Sequence, residues 1–319
     1  MYAYIGRRVV QGFITVLIIT VFCFILTRLS ADPLAQYATN PNMSAADRAA
    51  LRERLGLNAP MPVQYFRWLS LAARGELGIS FFSKQPVSLM ISQRLPMTLI
   101  LMITAEAITI TLALILGIVA AVRQYSWVDN IITTFSFIGY SMPIFFIALG
   151  LMLIFAVQFK AWGLPYLPTG ADIWNTKNPM ELGRHMILPV TCLVFIGTAG
   201  YSRYVRSSIL EVLGLDYVRT ARAKGLGERT VLYKHALRNA VLPFITIIGL
   251  DIPFLIAGAV VTESVYAWPG MGRLFWEYAQ RGDFPVVLGI LLIVSVAVVF
   301  FAIVTDVAYT FIDPRIRLG

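Results

Sequence analysis

The sequence predicts an all-α membrane protein with six transmembrane helices, and three observations predict it. Of 319 residues, 58% are apolar and only 13% charged, where soluble domains run to roughly half and a quarter. Mean hydropathy is +0.74. The apolar residues gather into six continuous runs at about 9–29, 97–122, 130–157, 186–205, 241–262 and 285–310. Each is close to the roughly 20 residues that cross about 30 Å of hydrocarbon at 1.5 Å per residue. Continuous rather than alternating runs select helices over a barrel, since every backbone group in lipid must be satisfied within the fold.

The first run follows Arg7 and Arg8 as a signal peptide would, but Leu29-Ser30-Ala31 lacks the small residue that a cleavage site takes at its first position. Residues 1–29 therefore read as a retained transmembrane anchor. Residues 30–96 carry helix signals instead of low-complexity polarity. Ser44-Ala45-Ala46-Asp47 has capping-box spacing and Gly56 offers a stop. Farther on, Tyr65, Phe66, Trp68, Leu69 and Ala72 recur at helical spacing. This is an extracytoplasmic region whose short helices are expected to lie on the outer surface.

The remaining five runs form a core at 97–314, followed by a cytoplasmic tail at 315–319. Pro143, Pro189 and Pro253 fall inside or near the ends of spans. They are either structural kinks or breaks facing a water-lined cavity.

Orientation follows the basic residues of the short loops. With both termini cytoplasmic, Arg7, Arg8, Arg123, the basic residues from Arg203 to Arg238, Arg315 and Arg317 all lie inside. The outside loops 158–185 and 263–284 hold few bases, offset by acids. Topology thus explains the net charge of +9 without invoking nucleic acid.

Several chemistries are excluded. There is no G-x-x-x-x-G-K-[ST] and no Gly-Lys dipeptide, so no P-loop. No G-x-S-x-G or H-E-x-x-H occurs, and His185 and His235 lack the spacing of metal ligands. Cys23 and Cys192 sit in apolar runs as small hydrophobes. No catalytic site, metal or cofactor is expected in the chain.

Three carboxylates, Glu106, Asp251 and Asp306, lie in spans. A charge there costs about 2.5–3.5 kcal/mol or more without a cavity or partner. Asp306, near the inner end of its span, is expected to pair with Arg203 or Arg206, with a pathway role as the other reading. Glu106 and Asp251 lie deeper and are candidates for lining a route. Three scattered acids do not make a proton relay.

The loop at 203–240 is far longer than the roughly 2–8 residues of an ordinary helix connection. Asp216 to Lys224 reads as a short helix with an acid at its start and bases toward its end, stopped by Gly225. A second helix from about Glu228 puts Val231, Leu232, Ala236 and Leu237 on one face and turns Arg229, Lys234 and Arg238 away. The two readings are a basic loop that only fixes topology against anionic lipid, and a structured docking surface whose small residues Ala221, Ala223 and Gly225 admit a partner closely.

"DYVRTARAKGL" followed by "HALRNA" and "LP", together with "GELGIS", "RLPMT", "YSMPIF", "HMILP", "VRSSILEVLG", "WPGMGRL", "FPVVLG" and the closing "DPRIR", resembles the peptide-type permeases of ABC importers along nearly the whole chain. That resemblance implies a type I ABC importer fold and uptake of di- or oligopeptides or related small solutes. It implies as partners a second homologous permease, two cytoplasmic ATP-binding subunits that hold ATP and Mg, an extracytoplasmic substrate-binding protein, and the bilayer of a bacterial inner membrane.

By position, the resemblance makes Asp216, Tyr217, Arg219, Thr220, Ala221, Arg222, Ala223, Lys224 and Gly225 the helix that couples to the ATPases. Arg219-Thr220-Ala221 stands where many ABC permeases have Glu-Ala-Ala, and Arg238 follows Leu237 where many have proline. Both departures are shared with the peptide branch. The competing class is an ion-driven carrier or channel whose basic loop only holds topology.

Overall fold

The computed structural model describes residues 2–30, 44–54, 56–170 and 178–312. The expected tail at 315–319 lies outside them, as do residues 31–43 of the outer region. Among the described residues, six helices are long and apolar enough to cross a membrane. The chain divides into two compact units, Met1–Thr98 with Ile256–Val260 and Gly270–Gly319, and Leu99–Leu255 with Val261–Pro269.

The first unit opens with α1 (Tyr2–Ser30). α2 (Ala45–Arg54) starts in the expected capping box. Asp47 N–H donates to Ser44 Oγ at 3.1 Å, and Ser44 N–H returns to Asp47 Oδ2 at 3.0 Å. The Ser44 hydroxyl, which donates to Asp47 Oδ2 at 2.7 Å, and then the Ser44 N–H favour the charged form and hold the Asp47 carboxyl below its ordinary range. Gly56 takes φ +64° in the turn that follows.

α3 (Met61–Ala72) does not simply lie on a surface. Its Tyr65 is buried against Phe24 and Leu288, with a 2.9 Å hydrogen bond to Thr20 on α1. Phe66, also placed on the apolar stripe by spacing, is exposed. α14 (Met271–Gln280) and α15 (Phe284–Ile312) complete the unit. Its main core joins Leu77, Val87, Met90, Ile91, Met271, Leu274, Tyr278, Val286 and Ile290. A short loop between Gly78 and Val87 is pinned by buried Asp283, which accepts from Ser80 Oγ at 2.6 Å and Phe82 N–H at 2.9 Å.

The chain enters the second unit within α4 (Val87–Val122). This helix begins ten residues before the apolar run that predicts it, because Val87, Met90 and Ile91 already bury apolar faces in the first unit's core. α5 (Trp127–Ser141) and α6 (Ile144–Met152), which continues through a π-turn at Leu153–Gln158, make the third run. The break between them falls at Met142, whose extended backbone precedes Pro143, as the steric clash of proline with its preceding residue requires.

α7 (Pro179–Leu213) shows the opposite outcome: Pro189 sits inside a continuous helix, so of the two readings of its proline the break does not apply. α4 and α7 approach on glycine. A Cβ on Gly117 would meet Val205 at 2.7 Å and the Ser202 carbonyl at 2.8 Å, and one on Gly197 would meet Thr109 at 2.7 Å.

The basic loop then forms α8 (Asp216–Ala223) and α9 (Glu228–Thr230), followed by a π-turn at Val231–Ala236 and α10 (Leu237–Ala240). The fifth run is divided into α11 (Leu242–Asp251), α12 (Phe254–Ala257) and α13 (Val260–Val265), with Pro253 in the first gap.

Candidate functional site

α8 matches the helix that the sequence predicts to within one residue. Leu215, in extended conformation, precedes it; Lys224 caps it; and Gly225 leaves at φ +79°, a left-handed geometry that costs an L-residue roughly 1–2 kcal/mol. Only Val218 and Ala221 of α8 are buried. They pack with Val231 of the following turn, beside Val212 and Leu213. Asp216, Tyr217, Arg219, Thr220, Arg222, Ala223 and Lys224 are exposed. A two-turn helix seated by two small apolar residues thus presents the rest of its circumference outward.

The far side of Gly225 is also as expected in outline. Val231, Ala236 and Leu237 are buried, while Arg229, Lys234 and Arg238 are exposed. The π-turn is the part that periodicity does not foresee. Leu237 N–H reaches back five residues to the Leu232 carbonyl, one residue beyond the α register. Arg222 clasps Glu228 across the glycine at 3.0 and 3.3 Å, and Arg219 meets Asp216 at 3.5 Å. Both pairs are solvated and contribute little to stability.

Of the deep carboxylates, the structure brings Glu106 and Asp251 together. The Tyr201 phenol on α7 donates to Asp251 Oδ2 at the end of α11 and lies 3.2 Å from Glu106 Oε1 on α4. Phe244 holds the Tyr201 ring edge-on at 5.3 Å and is itself buried. One hydroxyl proton serves one acceptor at a time. Two carboxylates from different helices therefore compete for a single donor, an arrangement complementary to a cationic group. Tyr201 is the residue that sequence reasoning missed; its signal is a phenol inside an apolar run with glycine one position before it.

The expected ion pairing is corrected. Asp306 meets Arg8 at 3.2 Å, because α1 and α15 pack along their lengths. Arg206 instead grips Asp129 through two 2.7 Å bonds, and Arg203 lies 4.8 Å over the Tyr140 ring and 5.4 Å over Phe137. Asp129 is 2% exposed. It also accepts from Tyr125 N–H at 2.9 Å and Thr133 Oγ1 at 3.2 Å. It precedes the apolar run at 130–157, and the Arg206 hydrogen bonds, ahead of these others, bring its carboxyl down to about 2. Among the described residues no group of three or more His, Cys, Asp or Glu side chains converges as metal ligands.

Residues 113–318 match the family described as binding-protein-dependent transport system inner membrane component, and residues 1–102 match the corresponding N-terminal family. The chain is 41% identical over 320 residues to the oligopeptide transport system permease protein AppB of Bacillus subtilis (strain 168), covering 99% of this chain and 100% of that one. It is 37% identical over 318 residues to the glutathione transport system permease protein GsiC of Salmonella paratyphi A, covering 99% of each.

Proposed function

The chain belongs to the family of binding-protein-dependent transport system inner membrane components, and from that membership we propose that it carries di- or oligopeptides, or related small solutes such as glutathione, as half of an importer's translocation path. It is a peptide-type ABC transporter permease subunit, a multi-pass membrane protein and a transporter component, not an enzyme.

In this reading the other half is a homologous permease, and two ATP-binding subunits beneath it supply the energy that a chain without a P-loop cannot. An extracytoplasmic binding protein delivers the solute. The basic termini and the basic loop lie on the cytoplasmic side.

The observation that carries the reading is α8, two turns of helix with Val218 and Ala221 buried and its other residues exposed. α8 with Gly225 is the coupling segment. It docks on an ATPase and passes the closure of that subunit to the spanning helices, which rock between inward- and outward-facing states as alternating access requires. Glu106 and Asp251, joined through Tyr201, line the path, where a peptide's ammonium group is the complementary charge. Contact there must stay weak enough to release what it admits.

Purification of the assembly from its membrane, with uptake measured in vesicles, tests this. ATP-binding subunits should co-purify and vanadate should abolish uptake. Uptake that survives vanadate but collapses with the ion gradient would restore the ion-driven carrier.

A further inference from the structure

A helix that transmits displacement must be fixed to what it moves, and two buried aliphatic side chains resist sliding poorly because dispersion contacts have no direction. α8 has a directional attachment as well. Tyr217 donates its phenol proton to the His235 carbonyl at 3.2 Å. Asn239 Nδ2 donates to the Tyr217 oxygen at 2.8 Å and lies 3.3 Å from the same carbonyl. The three polar groups form a closed triangle in which the phenol both gives and receives a hydrogen bond.

The triangle sits at the end of the π-turn. His235 lies within Val231–Ala236 and Asn239 on α10, so these side-chain bonds tie α8 to the point where the wider turn passes into α10. π-turns inside helices are frequent at functional positions.

α10 is anchored in turn, since Ser208 on α7 donates to the Ala240 carbonyl at 2.8 Å. The chain continues through Val241 directly into α11, which ends at Asp251. A contiguous route therefore runs from Tyr217 through Asn239, α10 and α11 to the carboxylates held by Tyr201. Spatial continuity alone does not establish coupling; the two-way hydrogen bonding at Tyr217 is what makes this link specific and breakable.

We infer that Tyr217 and Asn239 are positioning residues that latch α8 to the helix leading to Asp251, so that displacement of α8 reaches the Glu106–Tyr201–Asp251 cluster. This rests on α8 being the coupling segment.

The test uses the complete complex in proteoliposomes, with peptide uptake and ATP hydrolysis measured together. In Tyr217→Phe the ring stays and the hydroxyl goes. Peptide taken up per ATP should fall at least about fivefold, the scale of a lost hydrogen bond, since the phenol makes two of the triangle's three bonds. Asn239→Ala should give a similar loss, and the double variant should lose much less than the product of the single losses because both remove the bond between Asn239 and Tyr217. Asn239→Asp, whose carboxylate can accept the phenol proton, should recover part of the ratio lost in Asn239→Ala.

An unchanged ratio in Tyr217→Phe, or losses that multiply in the double variant, would overturn the latch. Failure of the underlying reading looks different: Ala223→Arg, on the outward face of α8, would then leave both ATPase co-purification and uptake untouched.

Discussion

Asp129 and Arg206 show how much a single pair of residues can hold. The carboxylate is buried and takes two bonds from the guanidinium, one from a backbone N–H and one from a threonine. Asp129→Asn would leave Arg206 facing a neutral amide, costing about 1.5–3 kcal/mol, the scale of hydrogen bonds to a charged group, read as a lower unfolding midpoint of the purified protein. The folded-state value near 2 lies below the unfolded carboxylate's value of roughly 3.9. The stabilisation is therefore fully present above about pH 4 and is lost as pH falls toward 2.

At the carboxylate cluster, Asp251→Asn should cut uptake roughly tenfold, the scale of a charged hydrogen bond, while ATP-binding subunits still co-purify. Full uptake in that variant would remove Asp251 from the path.

The partners of these charges were not legible in sequence. Asp129 and Arg206 lie 77 positions apart, and nothing local distinguishes that pairing from one between Arg206 and Asp306. What sequence does mark is the cost of burying each charge, which is why Glu106 and Asp251 stood out before their shared phenol was located.

Elements whose signals are local were legible. Asp216 at the start of α8, the bases toward its end and Gly225 after it fix that helix from ten residues of sequence, and the capping box fixes the start of α2. Helix breaks were less so. Pro143 and Pro253 stand at gaps while Pro189 does not, since neighbouring helices decide whether the freed carbonyl must find another partner. The π-turn at Val231–Ala236 was invisible because its apolar residues also suit an α-helix.

Two predictions belong to elements. Gly225→Ala should destabilise the loop by about 1–2 kcal/mol through its positive φ, measured as faster local amide exchange in α8. Gly117→Val should push α4 from α7 against the Val205 side chain and the Ser202 backbone, costing about 1–3 kcal/mol of overpacking and lowering the unfolding midpoint.

For the whole molecule, the apolar runs foretell the six helices that, among the described residues, are long and apolar enough to cross a membrane, because hydrocarbon thickness is a constraint that one chain must meet alone. That the chain is a transporter component follows from its family; the coupling role proposed for it rests on the exposed side of α8.

If that surface receives the work of ATP hydrolysis, removing its register should separate hydrolysis from movement of solute. The direct measurement is peptide uptake against ATP hydrolysis in the reconstituted complex carrying Gly225→Pro, whose fixed φ near −65° is incompatible with +79° at this position. A second variant reverses the charges of Arg222 and Lys224. In both variants the complex should insert, assemble and still hydrolyse ATP while uptake per ATP collapses. Uptake per ATP equal to that of the unaltered complex would contradict the coupling role of α8.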